Sequence, residues 1–427
     1  MLNRRDLFKL GLGTWIMSQG VRIPFAGAGS GAQGTSRPQA SKPRYYVFVF
    51  LAGGLDAVLS VDPKTRSQVE SWADVPYRSS EIVTAANLHL GPQFAKLAKW
   101  APQMSIVNGV QVFTANHKYG TWQSHRLKTF AVEAVPPITD ILGAQRDGQP
   151  LSTITLGNVL NDDYGHNWFG SGTSQGFSYG GPPPSLFDEI DGVAPADLEK
   201  MAAALRVNRK QLSGGGATTA RALENIDQVI ALFDRLQHTK AFAEEDWGDG
   251  SKDREEMAKG FQRMAWALEN DLTKCAYLRL GIADWDTHFQ NKMRQGKWNS
   301  DLVACLDRFL TALANRKNAH GTLASNTAIV MVSDVGRFPK VNPHDGKDHF
   351  PEVPFAFFGP WFRGGHAYGS TGRVMESRPI SLATGAAEKG GHMLRIDDIG
   401  AHMLRLEGLK PELYGYQGER LQFLEAS

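Results

Sequence analysis

Thr327-Ala-Ile-Val-Met-Val-Ser333 decides the fold class of this 427-residue chain. The run has the length of a strand, is rich in β-branched residues, and is apolar at consecutive positions. Continuous apolarity of this kind marks a strand buried on both faces, as in a parallel sheet. Tyr45-Tyr-Val-Phe-Val-Phe-Leu51 and Val353-Pro-Phe-Ala-Phe-Phe-Gly359 read the same way. Shorter strands are expected at Met104–Val110, Leu151–Leu156 and Tyr277–Gly281. Helical patterning lies between them. Phe94–Trp100 predicts a short helix with Phe94, Leu97 and Ala98 on one face, and Asp301–Arg316 aligns Leu302, Leu306, Phe309, Leu310 and Leu313. A last helix is expected over Asp397–Leu406. Residues 195–280 turn helical, with a glycine-rich break at 213–216, and the Gly/Ser/Pro-rich stretch 171–184 reads as loop. Strands alternating with helices predict an α/β fold, a mostly parallel sheet flanked by helices, in one domain over residues 45–427. Residues 195–270 form a helical insertion or cap in this reading. Ligands of such sheets bind beyond the carboxyl ends of the strands.

Composition agrees with a globular body: 42% hydrophobic and 21% charged, which excludes disorder and coiled coil. Two cysteines, Cys275 and Cys305, are too few for a disulfide framework or a thiolate zinc cluster. The formal net charge of +2 is unevenly placed. Residues 1–44 carry seven Lys/Arg against one acidic residue, a net of +6, which leaves −4 for the rest. A body without basic excess gives no footprint for nucleic acid.

The amino terminus reads as an address. Asn3-Arg4-Arg5-Asp6-Leu7-Phe8-Lys9 precedes a weakly apolar stretch to Met17, then the small residues Ala26-Gly-Ala-Gly-Ser30. That order resembles a twin-arginine export signal, followed by a flexible linker to residue 44. The expected location is periplasmic or secreted. The apolar stretch is too short and glycine-rich to span a bilayer, and no later segment is long and apolar enough to do so.

Polar clusters fall just after the expected strands. Gly53-Gly54-Leu55-Asp56 follows the first, where the glycines permit a tight turn and the carboxylate projects at the sheet edge. Asp284-Trp285-Asp286-Thr287-His288 follows the strand at 277–281, and a carboxylate and an imidazole two apart suit a divalent metal. Ser333-Asp334-Val335-Gly336-Arg337 follows the run quoted first. Arg337 there pairs with Asp334 or presents its planar fork to an anionic ester oxygen. Gly346-Lys347-Asp348-His349 supplies a second Asp-His pair, and His117, in a loop after the second strand, offers an acid/base or a metal ligand.

These motifs, in this order, resemble an exported family known as DUF1501, related to alkaline phosphatases and sulfatases. The resemblance rests on Phe50-Leu-Ala-Gly-Gly-Leu-Asp56, Trp285-Asp286-Thr287-His288, Ser333-Asp334-Val335-Gly336-Arg337 with Asp348-His349, and Arg363-Gly-Gly-His-Ala-Tyr-Gly369. It implies an alkaline-phosphatase-like core holding divalent metal, expected as zinc, manganese or calcium. By order along the chain, Asp286, His288 and His349 resemble one metal's ligands, and Asp56 and Asp334 the other's. Where the phosphatases follow the last Asp with a His ligand, this chain has Val335. His117 lies in the segment expected to carry the nucleophile, with Thr114 the nearest hydroxyl. Hydrolysis of a phosphate or sulfate ester, on a small molecule or a polysaccharide, is the implied activity. His117 would protonate the leaving oxygen and Arg337 would stabilise developing charge. The alternative is an exported binding or assembly protein that keeps the fold without the catalysis.

Overall fold

The computed structural model describes residues 42–130, 135–157, 194–211, 217–247, 250–281 and 285–426. Residues 1–41 of the segment expected to carry an export signal and linker (1–44), the expected loop at 171–184, the break at 213–216 and Asp284 lie outside them. In chain order the main elements are β1 (Tyr45–Leu51), β2 (Met104–Gln111), α1 (His117–Arg126), β3 (Leu151–Gly157), α2 (Pro195–Gln211), α3 (Ala217–Gln237), α4 (Lys252–Glu269), β4 (Thr273–Leu280), α5 (Asn291–Asn315), β5 (Thr327–Ser333), β6 (Gly336–Val341), β7 (Lys347–Phe350), β8 (Glu352–Phe358), β9 (His366–Gly369) and α6 (Ile396–Leu406).

Seven strands form one sheet in the order β9-β2-β8-β5-β1-β4-β3. β1 sits between β5 and β4 and is parallel to both, β3 is parallel to β4, and β9 is parallel to β2. The mostly parallel α/β fold is therefore present, with β8 running antiparallel to both its neighbours. The reversal follows from the connection. No crossover helix separates β5 from β8; the chain instead makes the β6–β7 hairpin and returns down the sheet.

Both faces of the sheet are covered, which is why the central strands read as unbroken apolar runs. Tyr45, Val47, Val49 and Leu51 belong to one buried cluster, with Phe261 and Leu268 of α4 and Leu306 and Phe309 of α5. Tyr46, Phe48 and Phe50 belong to the other, with Ile399 and Met403 of α6. α4 thus helps form the layer over the sheet. Cys275 and Cys305 are free, buried, and in different clusters.

Three elements differ from expectation. The segment at Phe94–Trp100 is part of a 3-10 helix, Pro92–Gln103. β4 begins earlier than its apolar residues suggest, because Lys274 is buried there against Glu407 and the Pro43 carbonyl. α5 begins ten residues before Asp301. Its first turns bury Asn291, Gln295 and Asn299 rather than apolar residues. This amide stripe at four-residue spacing reads as polar surface but serves the site: Gln295 Nε2 donates to the carbonyls of Gly54 and Trp285, and Asn299 accepts from the Trp285 indole.

A buried imidazole in α6 makes the fold acid-sensitive. Neither ring nitrogen of His402 has a hydrogen-bond partner, and burial pushes its pKa down to about 4. Between an unfolded value near 6.5 and that folded value, the unfolded chain binds more protons. Stability therefore falls as pH drops through this window, by about 3 kcal/mol at pH 4. Urea titrations at pH 7.5 and pH 4 should show His402→Leu losing about 3 kcal/mol less than the wild type; equal losses would contradict this origin.

Candidate metal centre

The carboxyl ends of β1, β4 and β5 converge, and two close approaches explain the glycines there. Gly53 and Gly54 have φ of +114° and +107°. A Cβ at Gly53 would collide with the Asp286 backbone nitrogen, and one at Gly54 would lie 2.8 Å from Arg337 Nε. The turn after β1 is thus the floor on which Asp286 and Arg337 rest.

Asp286 is the hub. Its Oδ1 lies 2.6 Å from Arg337 Nη2, 3.1 Å from His349 Nε2 and 3.1 Å from His288 Nε2. The two Nε2 atoms are 3.0 Å apart. The outer nitrogens decide the tautomers, which we assign from their partners. His349 Nδ1 is 2.7 Å from the Ala115 carbonyl, so it donates, and Nε2 keeps its lone pair. His288 Nδ1 faces Asp348 Oδ1 at 3.3 Å, with the same consequence. Three electron-rich atoms then form a triangle with edges of 3.0, 3.1 and 3.1 Å. Such a triangle calls for a positive charge. Tetrahedral ligands held at ~2.0–2.1 Å from zinc lie about 3.3 Å from one another, so this donor set fits one face of a metal's ligand shell. The outer partners Ala115 and Asp348 orient the rings as supporting groups around metals do. The His288 side chain is 37% exposed, so the centre borders solvent on its side.

His117 closes the inner side. It is the first residue of α1, whose N-cap Asn116 accepts from the Lys118 amide, rather than a loop residue. Gly120, one turn on, lets α1 lie against the Asp334 carbonyl. His117 Nδ1 is 2.7 Å from Asp334 Oδ2, and Nε2 stands 3.4 Å from Asp286 Oδ2 without a hydrogen bond. Burial disfavours the imidazolium, but the Asp286 and Asp334 carboxylates outweigh it and raise His117 to about 9. Burial would likewise raise Asp286; contacts with His117 and Arg337 prevail and hold it well below the usual carboxylate range. Ligand atoms of His117, Asp286 and His349 all lie within 4.8 Å of one another.

The remaining sequence candidates are placed differently. Asp334 is buried, its Oδ1 accepting from the amides of Gly53 and Val335, so it meets the centre only through His117. Asp56 is set apart: its Oδ2 is 2.8 Å from Lys347 Nζ and accepts from Asn291, and its Oδ1 accepts from the Val58 amide. Arg337 is fully buried, donating to the carbonyls of Gly53, Gly54 and Lys347 as well as to Asp286. Its fork holds Asp286 from beneath. The Thr114 hydroxyl accepts from the Asn116 amide, and Thr114 lines a cavity of about 310 Å³ with Phe113, Ala115, Pro351 and Glu352. Sequence reasoning did not single out Ala115, whose contribution is a backbone carbonyl, or Lys347, Asn291 and Gln295, whose types match surface positions.

A family model described as "Protein of unknown function (DUF1501)" matches residues 44–425. No curated protein matches. Among solved structures, the lipoteichoic acid synthase LtaP from Listeria monocytogenes is 12% identical, with a TM-score of 0.46, over 97% of this chain and 82% of that one. A protein in the alkaline phosphatase superfamily from Vibrio parahaemolyticus is 11% identical, with a TM-score of 0.37, over 94% and 75%. A putative sulfatase from Bacteroides thetaiotaomicron is 10% identical, with a TM-score of 0.38, over 89% and 76%. Likenesses at these scores carry no weight for the chemistry of the site.

Proposed function

The chain belongs to the DUF1501 family, and we propose that it is an exported, metal-dependent hydrolase of phosphate or sulfate esters. The observation that carries this reading is the triangle of Asp286 Oδ1, His288 Nε2 and His349 Nε2, with its lone pairs turned inward and the half-exposed His288 at its solvent-bordering edge. A closed structural site would surround its ion with protein; three ligands with an open position suit catalysis. When bound, a divalent ion (zinc, manganese or calcium) supplies Lewis acidity toward an ester oxygen and acidifies water near neutral pH.

The chain's own residues account for the rest. Arg337 fixes the Asp286 carboxylate in place. Asp334 holds His117 by Nδ1, which leaves a proton on Nε2 directed toward the centre. That proton is placed for transfer to a leaving alkoxide. Thr114 borders the adjoining cavity and is the hydroxyl offered for a covalent role; attack by water needs none. No helix among the described residues is long and apolar enough to cross a membrane. Export by the twin-arginine route, on Arg4-Arg5, completes the reading.

The full chain, loaded in turn with zinc, manganese and calcium, should hydrolyse 4-nitrophenyl phosphate or 4-nitrophenyl sulfate. Chelation should stop turnover and the ion should restore it, while His349→Ala should lose more than about 100-fold of ion affinity together with turnover. Tight ion binding with no turnover on either ester would leave the non-catalytic binding protein as the function.

A further inference from the structure

The resemblance implies a second metal held by Asp56 and Asp334, and the residues present do not fit one. Asp56 is fully buried and its carboxylate is engaged on both oxygens, by Lys347 Nζ and Asn291 Nδ2 on Oδ2 and by the Val58 amide on Oδ1. Asp334 is engaged on both as well, by His117 Nδ1 on one and by the amides of Gly53 and Val335 on the other. The position after Asp334 carries the buried, apolar Val335.

A positive charge is nonetheless present beside Asp56. The Lys347 ammonium is fully buried, 2.8 Å from Asp56 Oδ2 and 3.1 Å from Asp74 Oδ2. We infer that Lys347 is a tethered cation filling an oxygen-lined pocket between Asp56 and Asp74, so that the centre takes one metal ion and not two. The inference rests on the metal reading of Asp286 for its count of one, but the Lys347 pocket stands on its own geometry.

The strand that supplies the ammonium explains the arrangement. Side chains two apart on a strand share a face, so β7 delivers Lys347 to Asp56 and His349 to Asp286. The Lys347 carbonyl also accepts from Arg337 Nη1, tying the two charged ends of the site together. With Lys347 shortened to a neutral side chain, the Asp56 and Asp74 carboxylates would be left facing one space. Two carboxylates so placed suit a hard divalent cation.

Ion content separates these ideas. The full chain, equilibrated with manganese and desalted, should hold one ion by mass spectrometry of the metal. Lys347→Gln should hold one more than the wild type, and Lys347→Gln/Asp56→Asn should lose the extra ion again. Asp56→Asn alone should leave the count unchanged, which keeps the test decisive if Lys347→Gln fails to fold. Two ions in the wild type, no gain in Lys347→Gln, or a loss of one ion in Asp56→Asn would overturn the inference. A wild type without any ion, together with a gain of one in Lys347→Gln, would overturn the metal reading of Asp286 and leave the tethered cation standing.

Discussion

Asp286→Asn should lose ion affinity by more than about 100-fold, because even supporting residues around a metal are worth 10–100-fold and Asp286 supplies the only anionic corner of the triangle. The amide keeps the size of the carboxylate and can still accept from Arg337, so the fold should survive. Calorimetric titration with zinc and manganese reads the affinity. A second readout belongs to His117, which owes its raised pKa of about 9 to Asp286 and Asp334 together. With Asp286 neutral, the imidazole signal should titrate at lower pH. Affinity within about threefold of the wild type, far short of that loss, would place the ion elsewhere or deny it altogether.

Arg337→Ala should be the most destabilising single change at the site. The guanidinium is fully buried and bonds three backbone carbonyls, those of Gly53, Gly54 and Lys347, besides Asp286 Oδ1. Truncation leaves carbonyls unsatisfied and a part-buried carboxylate without its cation. Breaking a buried pair in this way costs about 3–5 kcal/mol, and each orphaned buried acceptor adds to it. Arg337→Lys should recover little, since one ammonium cannot span four acceptors arranged around a planar fork. Urea unfolding measures the loss; a change below about 1 kcal/mol would mean that these bonds contribute little.

The fold was legible where burial is two-sided. β1 along its length and β5 from Ala328 to Val332 are continuously apolar because each packs against a cluster on either face, and that pattern survives without knowledge of any partner. It failed where the interior is polar. The start of β4 hides Lys274 paired with Glu407, and the start of α5 hides amides that bond the site's backbone. Residue type alone assigns such positions to solvent. The direction of β8 was not legible either, since an antiparallel return depends on the length and course of the connection rather than on the strand's own residues.

The candidate site divides in the same way. Carboxylates and imidazoles after strand ends could be listed from the chain, and the structure brings Asp286, His288, His349, His117 and Asp334 together. What the chain does not display is pairing. Asp56 has the residue type of a ligand, but a lysine 291 positions away occupies it. Arg337 has the type of an anion binder, but three carbonyls and Asp286 already hold its nitrogens. Charge partners of that kind are set by strand register and turn geometry, which only the folded chain specifies.

Diffraction from crystals soaked in manganese, recorded with anomalous signal, addresses the metal centre itself. The account predicts a single strong peak bonded to Asp286 Oδ1, His288 Nε2 and His349 Nε2 at about 2.0–2.2 Å. No peak beside those atoms, or a peak lodged between Asp56 and Asp334, would contradict it.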